Sequence, residues 1–293
     1  MAEFQIICDG ASDLYSEFIF NNNLKVVEFY VAVKPEIYQK ERTELKVRDF
    51  YQSLVDNPKL FPKTSCPTIK DYTEVFTEAV KAGKDIICIT ISSDMSGSFN
   101  SANVAKQNVL DNFPNSKITV IDSRCNTVTE GLLVKEALRK QSEGEEYDTL
   151  VKKIEACKKT GRIYFTVNGV EYLVSGGRIG KIAQLLKGIL KINLCILMKD
   201  GNISSKGIAI SRKRATIRIR DLVKKSFVKD KLDKEKYRFA AGYCYDKKEA
   251  EEFVTKSLPF IERDSLELEQ IGSTVGVHTG PTALGIGYIK KME

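Results

Sequence analysis

Short apolar runs alternate with stretches of helical spacing over the first half of the chain. The runs at 4–8, 24–33, 85–91 and 117–121 are rich in β-branched and aromatic residues and predict strands. Helical spacing is found at 47–55, 69–80, 98–113, 128–139 and 147–158. Strands that alternate with helices of this length predict βαβ units and a mostly parallel sheet.

The second half of the chain has a different pattern. Two apolar runs at 192–198 and 203–210 flank Lys199-Asp200-Gly201-Asn202, which is a strong hairpin signal. Further strands are predicted at 163–167, 239–245 and 266–271, and helices at 215–227 and 247–260. Hairpins mixed with helices predict an α+β domain, so we divide the α/β chain into an N-terminal domain at 1–160 and a C-terminal domain at 161–293.

The segment at 182–190 is a predicted helix whose apolar residues lie on more than one face. A helix that is apolar nearly all round is usually buried in a core. Such a helix could also form the wall of a long apolar cavity, and the pattern leaves both interpretations open.

Composition is that of an ordinary globular protein, with 42% hydrophobic and 29% charged residues, and the length of 293 residues favours two domains. No run approaches the roughly 18 apolar residues of a membrane span. The N-terminus predicts a first strand instead of a secretion signal, and the seven cysteines are scattered without C-x-x-C spacing. These features predict a cytoplasmic protein with reduced thiols and no stable membrane insertion.

The net charge is +7, and part of the excess lies between Arg212 and Arg220. Such a run fits nucleic acid, docking onto an acidic protein, or a solvated helix face that only aids solubility. The sequence has no aromatic RNA-binding cluster and no zinc-finger spacing, so a nucleic-acid partner is not expected.

His278 is the only histidine of the chain. A histidine-based zinc site needs two or three imidazoles, so no metal site is expected. His278 lies in a glycine-rich run at 275–288, and a helix is expected to start after Gly280-Pro281, within 282–290. An imidazole beside a helix N-terminus is suited to hold an anion, because free backbone N–H groups point outwards there. The alternative is that His278 only caps a turn.

Two further loops, at 63–68 and 91–98, combine hydroxyl groups with a predicted helix start. The second follows a buried strand, and ligands tend to lie at the carboxyl ends of parallel strands. N-capping by serine or threonine explains each loop alone, but three such loops in one chain favour an anion site. Ser93 or Ser96 could form a catalytic pair with His278 only if distant loops converge and an acidic residue orients the imidazole.

Six motifs, in order along the chain, resemble those of the DegV family of bacterial fatty-acid-binding proteins. They are Asp9-Gly10-Ala11-Ser12-Asp13-Leu14, Thr64-Ser65-Cys66-Pro67-Thr68, Ser92-Ser93-Asp94-Met95-Ser96-Gly97-Ser98, Asp122-Ser123, Gly176-Gly177-Arg178-Ile179 and His278-Thr279-Gly280-Pro281-Thr282. Gly10, Cys66 and Thr282 stand where the family more often has serine, glutamine and glycine. These departures affect the expected ligand preference more than the expected fold.

The resemblance implies a two-domain carrier that buries one long-chain fatty acid between its domains. It also implies that the carrier presents the carboxylate to a fatty acid kinase for acyl-phosphate formation in phospholipid synthesis, with no turnover of its own and no cofactor. Carboxylate binding is carried over to Thr64, Ser96 and His278, with Ser65, Ser93, Gly97 and Thr279 beside them in the same motifs. The alternative is an enzyme, either a Ser-His acyl hydrolase or a subunit of a phosphotransfer enzyme.

The implied kinase must contact the loaded carrier near its carboxylate end. Arg178 follows a double glycine and is expected on an exposed turn near the ligand entrance. We expect Arg178, with Arg212 or Arg214 in support, to form the docking face, because opposite charges accelerate association. For Arg218 and Arg220 a solvated helix face is the preferred interpretation.

Overall fold

The computed structural model describes residues 3–178, 192–257, 261–262 and 266–293. Within these ranges the chain forms three β-sheets with helices packed against them, which confirms the predicted α/β class. The apolar helix expected at 182–190 lies outside the described residues.

Sheet A is fully parallel. Its strands, numbered along the chain, are β1 (Phe4–Asp9), β2 (Lys25–Val27), β6 (Asp85–Thr90) and β7 (Ile118–Asp122), in the spatial order β2-β1-β6-β7. The central strands β1 and β6 are buried on both faces, which explains their nearly continuous apolar sequences. Because the strands run in one direction, the loops after β1, β6 and β7 lie along the same edge of the sheet.

The helices of the N-terminal half are α1 (Ser16–Asn21), α2 (Val47–Asp56), α3 (Ile69–Lys81), α4 (Ser98–Asn112), α5 (Thr127–Ser142) and α6 (Tyr147–Cys157). All of them except α2 pack on the two faces of sheet A, whereas the apolar residues of α2 cluster with those of sheet C. Successive residues of a strand point to opposite faces. Ile7 of β1 accordingly clusters with residues of α3 and α4, whereas Ile6 clusters with residues of α5 and α6.

Sheet B is a small antiparallel sheet. It contains β3 (Tyr30–Lys34), β4 (Ile37–Lys40) and β5 (Lys63–Ser65) in the order β4-β3-β5. The loop predicted at 63–68 therefore begins as an edge strand, in which Thr64 pairs with Val31. Thr68 then starts α3 through a capping box with Asp71, which fixes the helix start directly after the hydroxyl-rich segment.

Sheet C is built from the C-terminal half, in the order β10-β9-β8-β13-β11-β12. Its strands are β8 (Arg162–Asn168), β9 (Asn193–Lys199), β10 (Asn202–Ala209), β11 (Tyr237–Tyr243), β12 (Leu266–Gln270) and β13 (Leu284–Lys290). The predicted β9–β10 hairpin is confirmed. Strands β11 and β12 pair in parallel, whereas the other described strand pairs of sheet C are antiparallel. The helices of this half are α7 (Glu171–Ser175), α8 (Arg212–Lys229), α9 (Lys247–Ser257) and α10 (Ser273–Thr279).

The two faces of sheet C contact different parts of the molecule. Helices α8 and α9 cover one face, where their apolar residues cluster with Tyr164, Cys195 and Leu197. The neighbouring strand residues Phe165 and Ile196 point to the other face and cluster with residues of α2 and α10. Helix α8 and helix α10 therefore lie on opposite sides of the sheet.

Residues 284–290 form strand β13, so the prediction of a helix starting within 282–290 was wrong. Large apolar residues alternate with Gly285 and Gly287 along this strand, and a period of two is the spacing of a strand. Gly287 faces α5, and a Cβ added there would lie 2.7 Å from Val128. The absence of side chains on this face lets α5 approach sheet C closely.

Helix α5 packs on both main sheets. Its Leu133 belongs to one cluster with Ile6 of β1 and Ile289 of β13. Among the described strands, those of sheets A and B end by Asp122 and those of sheet C begin at Arg162. The predicted domain boundary at 160/161 coincides with this change of sheet, and whether the two parts are independent units stays a prediction.

Candidate functional site

A cavity of about 310 Å³ lies where the carboxyl edge of sheet A meets sheet B, α10 and the α10 side of sheet C. Hydroxyl-bearing and apolar residues share its wall: Phe29, Thr64, Ser65, Cys66, Ile91, Met95, Ser96, Gly97, Asn126, Phe165, Leu173, Arg178, Ile203, Thr274, Val275, His278 and Thr279. The cavity thus brings together all the residues predicted to bind a carboxylate except Ser93.

His278 lies in the last turn of α10, so the expected position beside a helix N-terminus was wrong. The helix ends because Gly280 adopts a φ of 73° and its N–H bonds to the carbonyl of Gly276. The negative end of the helix dipole is at this turn, and it does not favour an anion. His278 instead contacts Thr64, whose Oγ1 lies 3.1 Å from its Nε2.

The imidazole of His278 is held in its neutral form. Burial, together with the charge of Arg178, lowers the pKa of His278 to about 4. Its Nδ1 lies against the backbone of Gly176 and has no hydrogen-bond partner among the described residues. Among the described residues no carboxylate bonds to the ring, although an acid-oriented Ser-His pair would need one there.

The loop between β6 and α4 forms the opposite wall of the cavity. Ser96 and Gly97 line the cavity, and Gly97 is the N-cap of the 15-residue helix α4. Buried Asp9 anchors both ends of this loop, because its Oδ2 accepts hydrogen bonds from the Ile91 N–H at 3.0 Å and the Ser98 hydroxyl at 2.6 Å. A helix N-terminus, which favours negative charge, is therefore fixed at the cavity wall.

Ser93 belongs to the same loop but points elsewhere. Its side chain is exposed, and both its hydroxyl and its backbone N–H donate to the carboxylate of Asp122. The strand end that carries Asp122 holds Ser93 outside the cavity wall. Motif membership alone did not distinguish Ser93 from Ser96.

Ser65, Cys66 and Thr279 complete the polar wall. Ser65 follows Thr64 at the end of β5, and a Cβ at Gly97 would lie 3.4 Å from the Cys66 Sγ. The Thr279 hydroxyl already donates to the Val275 carbonyl at 3.1 Å. Thr279 can still accept a hydrogen bond, but its proton is not free for an anion.

The three arginines predicted to form a docking face are separated. Arg178 lies at the cavity mouth, where its Nε donates to the Met95 carbonyl at 3.2 Å and its Nη1 to the Gly176 carbonyl at 2.7 Å. Arg212 forms a two-pronged ion pair with Glu249 at 2.6 and 2.8 Å. Arg214 is exposed. Both Arg212 and Arg214 are on α8, which packs on the face of sheet C opposite the cavity.

Asn126 is a cavity residue that sequence reasoning missed. It lies between the main cavity and a second, smaller cavity of about 40 Å³ that also touches Phe165, Val275 and Gly285. The Oδ1 of Asn126 is buried and has no hydrogen-bond partner among the described residues. Its position shortly after β7, at the carboxyl edge of a parallel strand, was the available signal.

No group of three or more described histidine, cysteine, aspartate or glutamate side chains is arranged to hold a metal ion. Within the same part of the chain, no helix is both long and apolar enough to cross a bilayer.

Known proteins resemble this chain over nearly its whole length. The profile of the DegV family, described as uncharacterised, matches residues 3–291. A DegV domain-containing protein of Clostridium acetobutylicum is 30% identical over 97% of this chain and 96% of its own length. The crystal structure of a stearic-acid-binding protein from Eubacterium ventriosum has a TM-score of 0.92 at 36% identity, covering 99% of both chains. The Streptococcus pneumoniae fatty acid kinase B3 protein loaded with linoleic acid has the same fold, with a TM-score of 0.80 at 20% identity over 99% of this chain and all of its own. The chain belongs to the DegV family.

Proposed function

We propose that the protein binds a single long-chain fatty acid and presents its carboxylate to a fatty acid kinase. The observation that carries this proposal is the cavity in which the Thr64–His278 pair faces the start of α4. The 36% identical neighbour is described as stearic-acid-binding, which supports the ligand class. The fold shared with a protein of a fatty acid kinase system supports the carrier role.

Thr64 and the Ser96-Gly97 turn provide donors for a carboxylate, and His278 orients the Thr64 hydroxyl group. In the tautomer with the proton on Nε2, His278 donates to Thr64 Oγ1, which leaves the Thr64 hydroxyl proton for a ligand. A carboxylate placed there also benefits from the dipole at the N-terminus of α4. Hydrogen bonds of this kind are needed because a buried carboxylate without partners is very unfavourable.

The acyl chain would extend from the main cavity, past Asn126, towards the second cavity. The wall there is mainly apolar, with Val128, Ile271 and Leu284 around the smaller space. Burying about 14 methylenes at about 0.8 kcal/mol each contributes on the order of 11 kcal/mol before association and ordering costs are subtracted. The acyl chain therefore supplies most of the affinity and the polar wall sets the orientation.

A carrier role requires the reacting carboxylate to lie near the mouth of the cavity, where Arg178 lies, so that a kinase can reach it. The kinase would then carry out the phosphorylation of the carboxylate. The hydrolase alternative is not favoured, because Nδ1 of His278 faces Gly176 where an orienting carboxylate would be required.

Mass spectrometry of ligand extracted from the purified protein tests the ligand class, and we expect one long-chain fatty acid per chain. Ser96→Ala should weaken stearate binding to delipidated protein by about tenfold, because a charged acceptor loses a donor. Ser93→Ala is the matched control, since Ser93 is in the same loop but outside the cavity, and it should bind as wild type does. Failure of delipidated wild type to bind fatty acids would refute the proposal, and ester hydrolysis that disappears in Ser96→Ala would support the enzyme alternative.

A further inference from the structure

Helix α10 carries His278 at its end and is held at its beginning by two acidic side chains from the N-terminal half. The N–H of Gly272 donates to Asp13 Oδ1 at 2.9 Å. The N–H of Thr274 donates to Glu41 Oε2 at 3.1 Å. The first N–H groups of a helix have no partner within the helix, so these two contacts fix where α10 starts.

Both acidic side chains are deeply buried. Asp13 is 6% exposed and Glu41 is 2% exposed, and each has one oxygen without a hydrogen-bond partner among the described residues. Glu41 reaches this place because residue 10 is a glycine, and a Cβ there would lie 1.9 Å from Glu41 Oε1. Burying incompletely bonded carboxyl groups is unfavourable, so their contacts with α10 must offset a cost.

The rest of the helix start is also constrained. The Tyr51 hydroxyl donates to the Ile271 carbonyl at 3.0 Å and to the Gly272 carbonyl at 3.2 Å. A Cβ at Gly276 would lie 2.5 Å from the Tyr51 hydroxyl oxygen, so the helix rests directly on α2. The seven residues of α10 span only about 10 Å, and a shift at its start is therefore transmitted to His278.

We propose that Asp13 and Glu41 are positioning residues for the ligand site, which set the place of His278 relative to Thr64 by capping the start of α10. Neither residue lines the cavity, so both act through the helix. The proposal deepens the proposed function and rests on it, because the Thr64–His278 pair is what would hold the fatty acid carboxylate.

The electrostatic surroundings favour the neutral form of these acids. Burial raises the pKa of Glu41, and burial together with the Glu41 charge raises the pKa of Asp13. Asp9 and Glu269 add negative charge, and Arg42 partly offsets it. An uncharged amide at position 41 should therefore replace the carboxyl group closely, because it keeps an oxygen that accepts from Thr274.

The experiment compares Glu41→Asp with Glu41→Gln. The shorter side chain withdraws the acceptor from the Thr274 N–H, whereas glutamine keeps the acceptor in reach. The chain has a single histidine, so the imidazole signals in a ¹H–¹⁵N spectrum report on His278 alone. We expect Glu41→Asp to shift these signals and to weaken stearate binding by about tenfold, and Glu41→Gln to preserve both.

Glu136→Asp is the matched control. Glu136 is also fully buried and also accepts a backbone N–H, from Met292 at 2.6 Å, but it lies in the α5 cluster with Arg139 and Arg238. The Glu136→Asp variant should have a lower free energy of unfolding, and its His278 imidazole signals should not move. Gly272→Ala provides a second variant, because its φ of −68° suits alanine while the new Cβ would lie 2.7 Å from Asp13 Oδ1 and displace it.

Unchanged His278 signals and stearate affinity in both folded Glu41→Asp and folded Gly272→Ala would overturn the positioning role. An equal shift caused by Glu136→Asp would overturn it too, since the effect would then be general destabilisation. If wild type binds no fatty acid, the proposed function fails, and the imidazole signals still decide the positioning question.

Discussion

Burial keeps the imidazole of His278 uncharged in the folded protein down to about pH 4, because it lowers the pKa of the ring to that value. The free energy of unfolding of the ligand-free protein should record this change. In the unfolded chain the imidazole binds a proton below about pH 6.5, while in the folded protein it stays neutral until about pH 4. The unfolded state therefore binds more protons in this window, and stability is lost as the pH falls through it.

We predict that His278→Gln flattens this pH dependence. At pH 7 the protonation of residue 278 should contribute almost no difference between the free energies of unfolding of the two proteins. As the pH falls to 4, the wild type should lose on the order of 3 kcal/mol of unfolding free energy that the variant keeps. Urea unfolding of delipidated protein between pH 4 and pH 7 measures the effect. Parallel curves for the two proteins would show that burial does not perturb His278.

At the scale of elements, β11 and β13 form the floor of the second cavity through a cross-strand pair of glycines, Gly242 and Gly285. A Cβ at Gly242 would lie 3.0 Å from Val128 and 3.2 Å from Ile271, whose side chains can give way slightly. The glycines thus leave the space in which the end of an acyl chain would fit.

Gly242→Ala should shorten the preferred acyl chain. If the added methyl displaces two methylenes of the ligand, stearic acid binding weakens by about tenfold. Octanoic acid serves as the internal control, because it should not reach the second cavity and should bind both proteins equally. Equal weakening for both acids, measured by competition with a fluorescent fatty acid, would place the tail elsewhere.

At the scale of the whole molecule, sheet C separates the basic helix α8 from the cavity mouth. Arg178 lies at the mouth and Arg214 is exposed on the opposite side of the sheet. A partner that approaches the ligand carboxylate would meet Arg178 and would not meet α8. If the protein presents its ligand to a kinase as proposed, we predict that Arg178 contacts the partner without Arg212 or Arg214 and that α8 is a solvated face.

Charge reversal tests this arrangement. Arg178→Glu should slow acyl-phosphate formation by a fatty acid kinase, most strongly at low salt, when both carriers are saturated with fatty acid so that a change in binding does not contribute. Arg214→Glu makes the same change of charge behind sheet C and should behave as wild type. Equal rates for the two variants at low salt would remove Arg178 from the docking face.

Local sequence patterns predicted the type of most elements, and six motifs carried the resemblance to the family. Strands such as β1 and β6 were predictable because burial on both faces requires long apolar runs, and α3 because its capping box and helical spacing agree. Motif order along the chain pointed to seven residues for the carboxylate site, and six of them line the cavity. These signals are local, so they do not depend on where distant segments lie.

How these segments meet depends on long-range packing, which no local pattern encodes. Helix α10 is short, contains Gly276 and four β-branched residues, and has little intrinsic tendency to be helical. It forms where Asp13, Glu41 and Tyr51, each more than 200 residues away in sequence, bond to its start. The same long-range packing placed Ser96 inside the cavity and Ser93 outside it, because side-chain direction at the end of a strand depends on the contacts of the folded loop.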